Sequence, residues 1–282
     1  MKKAVVCITA YDRLELFEQC LSNLSVNDHS LFDAWVFPDS VSEEVELEMS
    51  EICMRATRTG MRVLFHAAPE TRLGCCRNVM RSLAVSFAHD GDYVIKLDSD
   101  ILVTKDFVKV MLALSESIGG GMAVSSIKCE MSAEEKRENA SKAVSISWSG
   151  SNFCISQDWW QKIEETAWPL VEKMRSTPDH LRDDKADWEK MVAIAKRCNP
   201  TQPGAIEARN YFLGNNFNTG SDAAIVLGAA VCDCPVASLV VNRAIHPSNS
   251  GENTTAEIHL SHYANTFLDE IEGDNTRTVF EY

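Results

Sequence analysis

Two carboxylates stand at Asp98 and Asp100, separated by Ser99, directly after the strand-like run Asp92-Tyr93-Val94-Ile95-Lys96-Leu97 and before Ile101-Leu102-Val103. Side chains alternate along a strand, so residues i and i+2 leave on one face, and at a strand-to-loop junction two such acids converge on one cation. Few protein ligands, all hard oxygens, suit Mg²⁺ or Mn²⁺, which bind through one or two carboxylates and complete their shells with substrate phosphates. The chemistry this predicts is a metal-bridged nucleotide diphosphate. An Asp-x-Asp also serves as an ordinary polar turn, so its weight depends on the elements around it.

Those elements alternate. A strand at Lys3 to Thr9 leads into Asp12-Arg13-Leu14-Glu15, which has the form of a capping box, and then apolar residues at helical spacing through Phe17, Cys20, Leu21 and Leu24. A short strand from Ala34 to Phe37 ends in Pro38-Asp39-Ser40, and Ser42 caps a helix bearing Val45, Met49, Ile52, Cys53 and Ala56. Met61 to His66 reads as a third strand, Gly74 to Phe87 as a helix, and Asp92 to Leu97 as a fourth strand. Repeated β-then-α units predict a mostly parallel sheet with helices on both faces, whose ligands bind outside the carboxyl ends of the strands. Thr9-Ala10-Tyr11, Pro38-Asp39 and Asp98-Ser99-Asp100 all fall at such ends.

The second half is less regular. Thr104 to Ile118 is amphipathic, Gly119-Gly120-Gly121 closes it, and Met122 to Ile127 reads as a strand. Ala133 to Lys142 reads as a solvated helix, Asn152 to Ile155 as a strand, and Trp159, Trp160, Ile163 and Trp168 as one helix. A helix is expected from Pro178 to Cys198, a loop from Asn199 to Asn218, a short apolar helix over Asp222 to Val231 and a late strand at Ser238 to Asn242.

With 282 residues, 45% of them hydrophobic, the chain can bury a full core, and a formal net charge of -14 disfavours general nucleic-acid binding. A local basic groove from Lys128, Lys136, Arg137 and Lys142 stays open. No segment has the roughly eighteen apolar residues that cross a bilayer, so a soluble protein without a stable membrane anchor is expected. Met1-Lys2-Lys3 and the short apolar run after it read as a first strand and not as a signal peptide. Ten cysteines, several inside apolar runs, point to buried thiols in a reducing, cytoplasmic setting, and Cys75-Cys76 and Cys232-Asp233-Cys234 lack the spacing of a structural zinc site.

In this arrangement the first hundred residues resemble the GT-A nucleotide-sugar glycosyltransferases, in particular the family 2 type. Val5 to Arg13 is similar to that family's first strand and nucleotide loop, and Asp39 stands where the family holds a base or ribose. Gly74-Cys75-Cys76-Arg77-Asn78 is similar to its Gly-x-x-x-Arg-Asn helix start, and Asp98-Ser99-Asp100 to its Asp-x-Asp. The resemblance implies a Rossmann-like α/β fold with a donor half over residues 1–127, an acceptor half over 128–250 and an extension over 251–282. It implies that Thr9, Tyr11, Arg13, Asp39, Arg77, Asn78 and Asp98 bind a nucleotide diphosphate sugar, and that Asp98, Asp100 and a late His, with His246 first and His259 and His262 as rivals, hold Mn²⁺ or Mg²⁺. In inverting members an Asp at a helix start is general base toward an acceptor hydroxyl. Gly220-Ser221-Asp222 has that layout, with Asp184 and Asp187 as alternatives. Asn152, Trp159 and Trp160 are candidates for the acceptor pocket.

The activity implied is metal-dependent transfer of a hexose or pentose to a hydroxyl on a glycan, a small molecule or a modified nucleic acid. A nucleotidyltransferase on a related sheet is a second reading, although the first loop, Thr9 to Arg13, has no Gly. A non-catalytic nucleotide-sugar binder is a third. For Asp39 a plain Asp-Ser turn, and for Arg77 an ion pair with a neighbouring acid, stand beside the binding roles. Donor sugar, base, acceptor and oligomeric state have no signature in the sequence.

Overall fold

The computed structural model describes residues 3–89, 91–125, 132–145, 152–176 and 221–245. The expected helix at 178–198, the loop after it, Lys128, Asp184, Asp187, His246, His259, His262 and the segment 251–282 lie outside those residues.

Four parallel strands open the sheet. They are β1 (Ala4–Ala10), β2 (Phe32–Pro38), β3 (Val63–Phe65) and β4 (Tyr93–Asp98), in the spatial order β3-β2-β1-β4. The sheet then turns mixed. β8 (Phe153–Ser156) runs antiparallel to β4 and to β6 (Met122–Val124), and β9 (Val236–Leu239) lies parallel to β6, with β7 (Ala143–Ser145) antiparallel at the edge. The sheet thus has eight strands, with residues of both halves of the chain in it.

Alternation along the strands feeds two cores. Val6 and Ile8 of β1 and Ile95 and Leu97 of β4 face one layer, formed by α1 (Leu14–Leu24), α2 (Glu43–Thr57) and α4 (Phe107–Ser117). Val5, Cys7 and Val94 face the other, formed by α3 (Cys75–His89), α6 (Gln157–Ser176) and α7 (Ser221–Val231). Helices therefore cover both faces, as the alternating β and α pattern predicts. The solvated run is α5 (Ala133–Glu138), which has no buried residue and starts on a capping box made by Ser132 and Glu135. Ser42 caps α2 through Val45 N at 3.3 Å. The capping box expected at Asp12 does not form: Arg13 occupies the N-cap of α1 with no side-chain cap bond.

Two features fix what lies above the sheet edge. Gly228 lets α7 lie against α6, because a Cβ there would come within 2.8 Å of Ile163 Cγ2 and 3.0 Å of Ile163 O. A small second sheet pairs β5 (Leu102–Val103) with β10 (Ala244–Ile245), which sets Ile245 opposite Leu102, two residues past Asp100. Arg243 anchors that return strand from inside the protein: its Nε donates to Asp106 Oδ2 at 3.2 Å and its Nη1 to Val241 O at 3.0 Å. Asp106 is also held by Thr104 Oγ1 at 2.6 Å.

Candidate functional site

The carboxyl ends of β1, β2 and β4 lie side by side, and a network of polar contacts joins them. Ser99 N donates to Thr9 O at 3.1 Å and Asp39 N to Ala10 O at 2.9 Å. Thr9 Oγ1 reaches Asp98 Oδ1 at 3.2 Å, and Arg13 Nη1 donates to Asp100 Oδ2 at 2.8 Å across 87 residues of sequence. Thr9 is thus in contact with Asp98, and Arg13 with Asp100. Tyr11 sits on the same loop as Arg13, with the Arg72 guanidinium 4.3 Å above its ring.

Lys96 belongs to this group and carries no part in the sequence reading. It shares a strand face with Asp98, its side chain is 1% exposed, and its Nζ lies 2.8 Å from Asp98 Oδ1. Burial works against the ammonium charge, but the carboxylates of Asp98 and Asp222 outweigh it, and Lys96 holds its proton more tightly than an ordinary lysine. A signal for it exists in the sequence: a lone Lys inside the apolar run of β4, two residues before an acid, has to be paired.

Asp222 stands in the first turn of α7, in the helix layer that covers the Val94 face of the sheet. Its Oδ1 is buried and accepts no hydrogen bond. Burial pushes its pKa up to about 6; Lys96 works against that rise, Asp98 adds to it, and a hydrogen bond from Ser221 also opposes it. Around the same point burial carries the thiol of Cys76 up to about 11, so it remains protonated at neutral pH. The structure therefore gathers a fixed cation, a strand-end acid and a buried carboxylate within mutual electrostatic reach.

Three other expected ligands have structural partners. Asp39 is 4% exposed and accepts from Ser40 N at 2.8 Å, Leu73 N at 2.7 Å and Gly74 N at 2.8 Å, so it organises the loop that opens α3. Gly74 takes φ +79 there, a conformation that disfavours any side chain. Arg77 forms a two-pronged ion pair with Glu172 of α6, with Nε to Oε1 at 2.7 Å and Nη2 to Oε2. Asn78 is buried and donates to Phe37 O at 2.9 Å, tying α3 to β2. Among the residues expected at an acceptor pocket, Trp160 is 1% exposed and stacks on Phe87 at 6.0 Å, which makes it a core residue. Asn152 is likewise buried, with its Nδ2 on Ser125 O at 3.3 Å. Trp159 is half-buried against the same core, its Nε1 on Gly119 O at 3.1 Å.

Hard carboxylate oxygens on Asp98 and Asp100 suit a divalent cation held by one or two acids and completed by phosphate and water. Among the described residues no third His, Cys, Asp or Glu joins them in a metal-binding group. No helix among those residues is long and apolar enough to cross a membrane.

No protein-family model matches the chain, and no curated protein matches it. Solved structures do. One is residues 1–349 of TarS from S. aureus in complex with UDP-GlcNAc, at 18% identity and TM-score 0.36, over 43% of this chain and 33% of that one. Another is the mannosyltransferase PcManGT from Pyrobaculum calidifontis in complex with GDP-Man and Mn²⁺, at 13% identity and TM-score 0.45, over 82% and 74% of the two chains. A third is glucosyl-3-phosphoglycerate synthase from Mycobacterium tuberculosis in complex with Mn²⁺, UDP and glucosyl-3-phosphoglycerate, at 18% identity and TM-score 0.39, over 57% and 59%. The match spans only about a third of the TarS chain, and each likeness is partial and at low identity.

Proposed function

We propose that this chain is a metal-dependent glycosyltransferase that moves a sugar from a nucleotide diphosphate sugar to an acceptor hydroxyl. The observation that carries the reading is the joining of the β1 and β4 ends, Thr9 to Asp98 and Arg13 to Asp100, over the buried Lys96–Asp98 pair, with Asp222 of α7 close enough to act on the charges of that pair. A donor acid and a proton acceptor drawn from opposite halves of the chain meet there. Such a pairing is what group transfer between two bound substrates requires.

The residues divide the work. Asp98 and Asp100 would hold Mn²⁺ or Mg²⁺ at the diphosphate, where the ion supplies Lewis-acid stabilisation of the leaving group. Thr9 fixes Asp98, and Arg13 and Tyr11 border the donor on the β1 loop. Asp222 is largely ionised at neutral pH and still basic enough to accept a proton, because its pKa is about 6. The acceptor oxygen gives its proton to Asp222 as it bonds to the anomeric carbon, and the bond from that carbon to the phosphate oxygen breaks. In-line attack of this kind inverts the anomeric centre. The late His of the sequence reading, His246, would follow directly on β10 and is a candidate third ligand.

A panel of nucleotide sugars, each assayed for Mn²⁺-dependent hydrolysis and transfer, tests the reading. Asp222→Asn should abolish turnover while donor binding, measured by calorimetry, is retained. Turnover within twofold of wild type in that variant would remove Asp222 from the mechanism.

A further inference from the structure

Both acids of the Asp98-Ser99-Asp100 turn are matched by a protein cation, and the two pairs differ in kind. Lys96 stands on the strand that carries Asp98, with only 1% of its side chain exposed and Nζ 2.8 Å from Asp98 Oδ1. Arg13 comes from the β1 loop; its side chain is 40% exposed, and its Nη1 lies 2.8 Å from Asp100 Oδ2. One cation is built into the core beneath the site. The other is a long side chain at the surface, free to exchange partners at little cost, since exposed ion pairs contribute at most about 1 kcal/mol.

The turn thus presents acids that each already hold a protein cation, with Asp222 as a third carboxylate beside Lys96. A bare divalent ion approaching it meets two cations and gains little from the acids, whereas an ion chelated by a diphosphate brings its own negative charge. Arg also bonds phosphate as readily as carboxylate, through the same planar fork of N–H groups. Resting on the donor reading above, we propose that Lys96 and Arg13 select the ligand of this site: a divalent cation already chelated by a nucleoside diphosphate, with Arg13 leaving Asp100 to the ion and taking a phosphate oxygen in exchange. Lys96 stays in place and holds Asp98 in position throughout. Neither residue donates or accepts a proton in this scheme; both act by charge and position.

Calorimetric titration of Mn²⁺ alone, and of UDP and GDP in the presence of Mn²⁺, tests this on wild type and Arg13→Gln. Removing a cation a few ångströms from the ion should tighten binding of Mn²⁺ alone by about tenfold, given a unit charge near a partly exposed site. The same change should leave binding of the Mn²⁺–nucleotide complex unimproved or several-fold weaker. A purely structural Arg13 would move both affinities in one direction. Lys96→Met, where it folds, should tighten Mn²⁺ alone as well. Bare Mn²⁺ affinity that is unchanged or weaker in Arg13→Gln overturns the inference while leaving the donor reading intact. Wild-type protein that binds neither nucleotide in Mn²⁺ overturns the donor reading, and this inference with it.

Discussion

Asp222→Asn should make the protein more stable at alkaline pH even as it removes the proposed base. The carboxyl has an ordinary value of 3.8, and burial takes it up to about 6 in the fold. Between those values the folded state binds the proton and the unfolded state does not, so stability falls as pH rises through that window. The stability tied to protonated Asp222 is complete below the lower value and lost as pH passes 6. At about 1.4 kcal/mol per tenfold shift, the ionised side chain costs roughly 2–3 kcal/mol at pH 8. Its Oδ1 accepts no hydrogen bond that would be lost on substitution. Asn mimics the protonated acid, so the variant and wild type should melt together near pH 4. By pH 8 the variant should melt about 5 °C higher, from the usual entropy of unfolding for a chain of this size. Thermal unfolding followed by circular dichroism at half-unit steps from pH 4 to pH 8 measures the difference. A variant less stable than wild type at pH 8, or an offset that does not change with pH, would refute the burial argument.

Asp39→Ala should destabilise the protein by about 2 kcal/mol, since it strips the half-buried N–H groups of Leu73 and Gly74 of their acceptor; a loss of stability in urea unfolding below a quarter of that would mean the loop does not depend on it. Arg243→Met leaves Asp106 buried without its ion pair and should cost about 3–5 kcal/mol in chemical denaturation. An unchanged midpoint would show that the β5–β10 corner is held by other contacts.

The sequence made the polar edge at the strand ends legible because its signals are local. An apolar run ending in Asp-Ser-Asp can be read without knowing the fold, and β-then-α alternation places Thr9, Asp39 and Asp98 on one edge. It allowed a turn at Asp39 and an ion pair at Arg77 but did not reveal their partners, the N–H groups of Leu73 and Gly74 and the carboxylate of Glu172. Those partners lie 34 to 95 residues away and are matched only once the chain is folded. Lys96 was hidden for another reason: its neighbours made the strand obvious, and the strand then absorbed the one residue that did not suit it. The capping box at Asp12 failed where two local rules competed, since Arg13 is drawn to Asp100 and the helix starts a residue later than the pattern implies. Asp222 entered as a candidate through the resemblance, from its place at a helix start. Its buried setting beside Lys96, which gives it the basicity a base needs, is a property of packing between α7, α3 and β4.

The most direct test of the account is nucleotide-dependent stabilisation. Wild type and Asp98→Asn would be melted with UDP and with GDP, each with Mn²⁺ and with excess chelator. The account predicts that at least one nucleotide at about a hundredfold over its Kd stabilises wild type by roughly 2.7 kcal/mol in Mn²⁺, and that the effect vanishes with chelator and in Asp98→Asn. Melting curves that coincide under all these conditions, or a stabilisation that survives in Asp98→Asn, would contradict it.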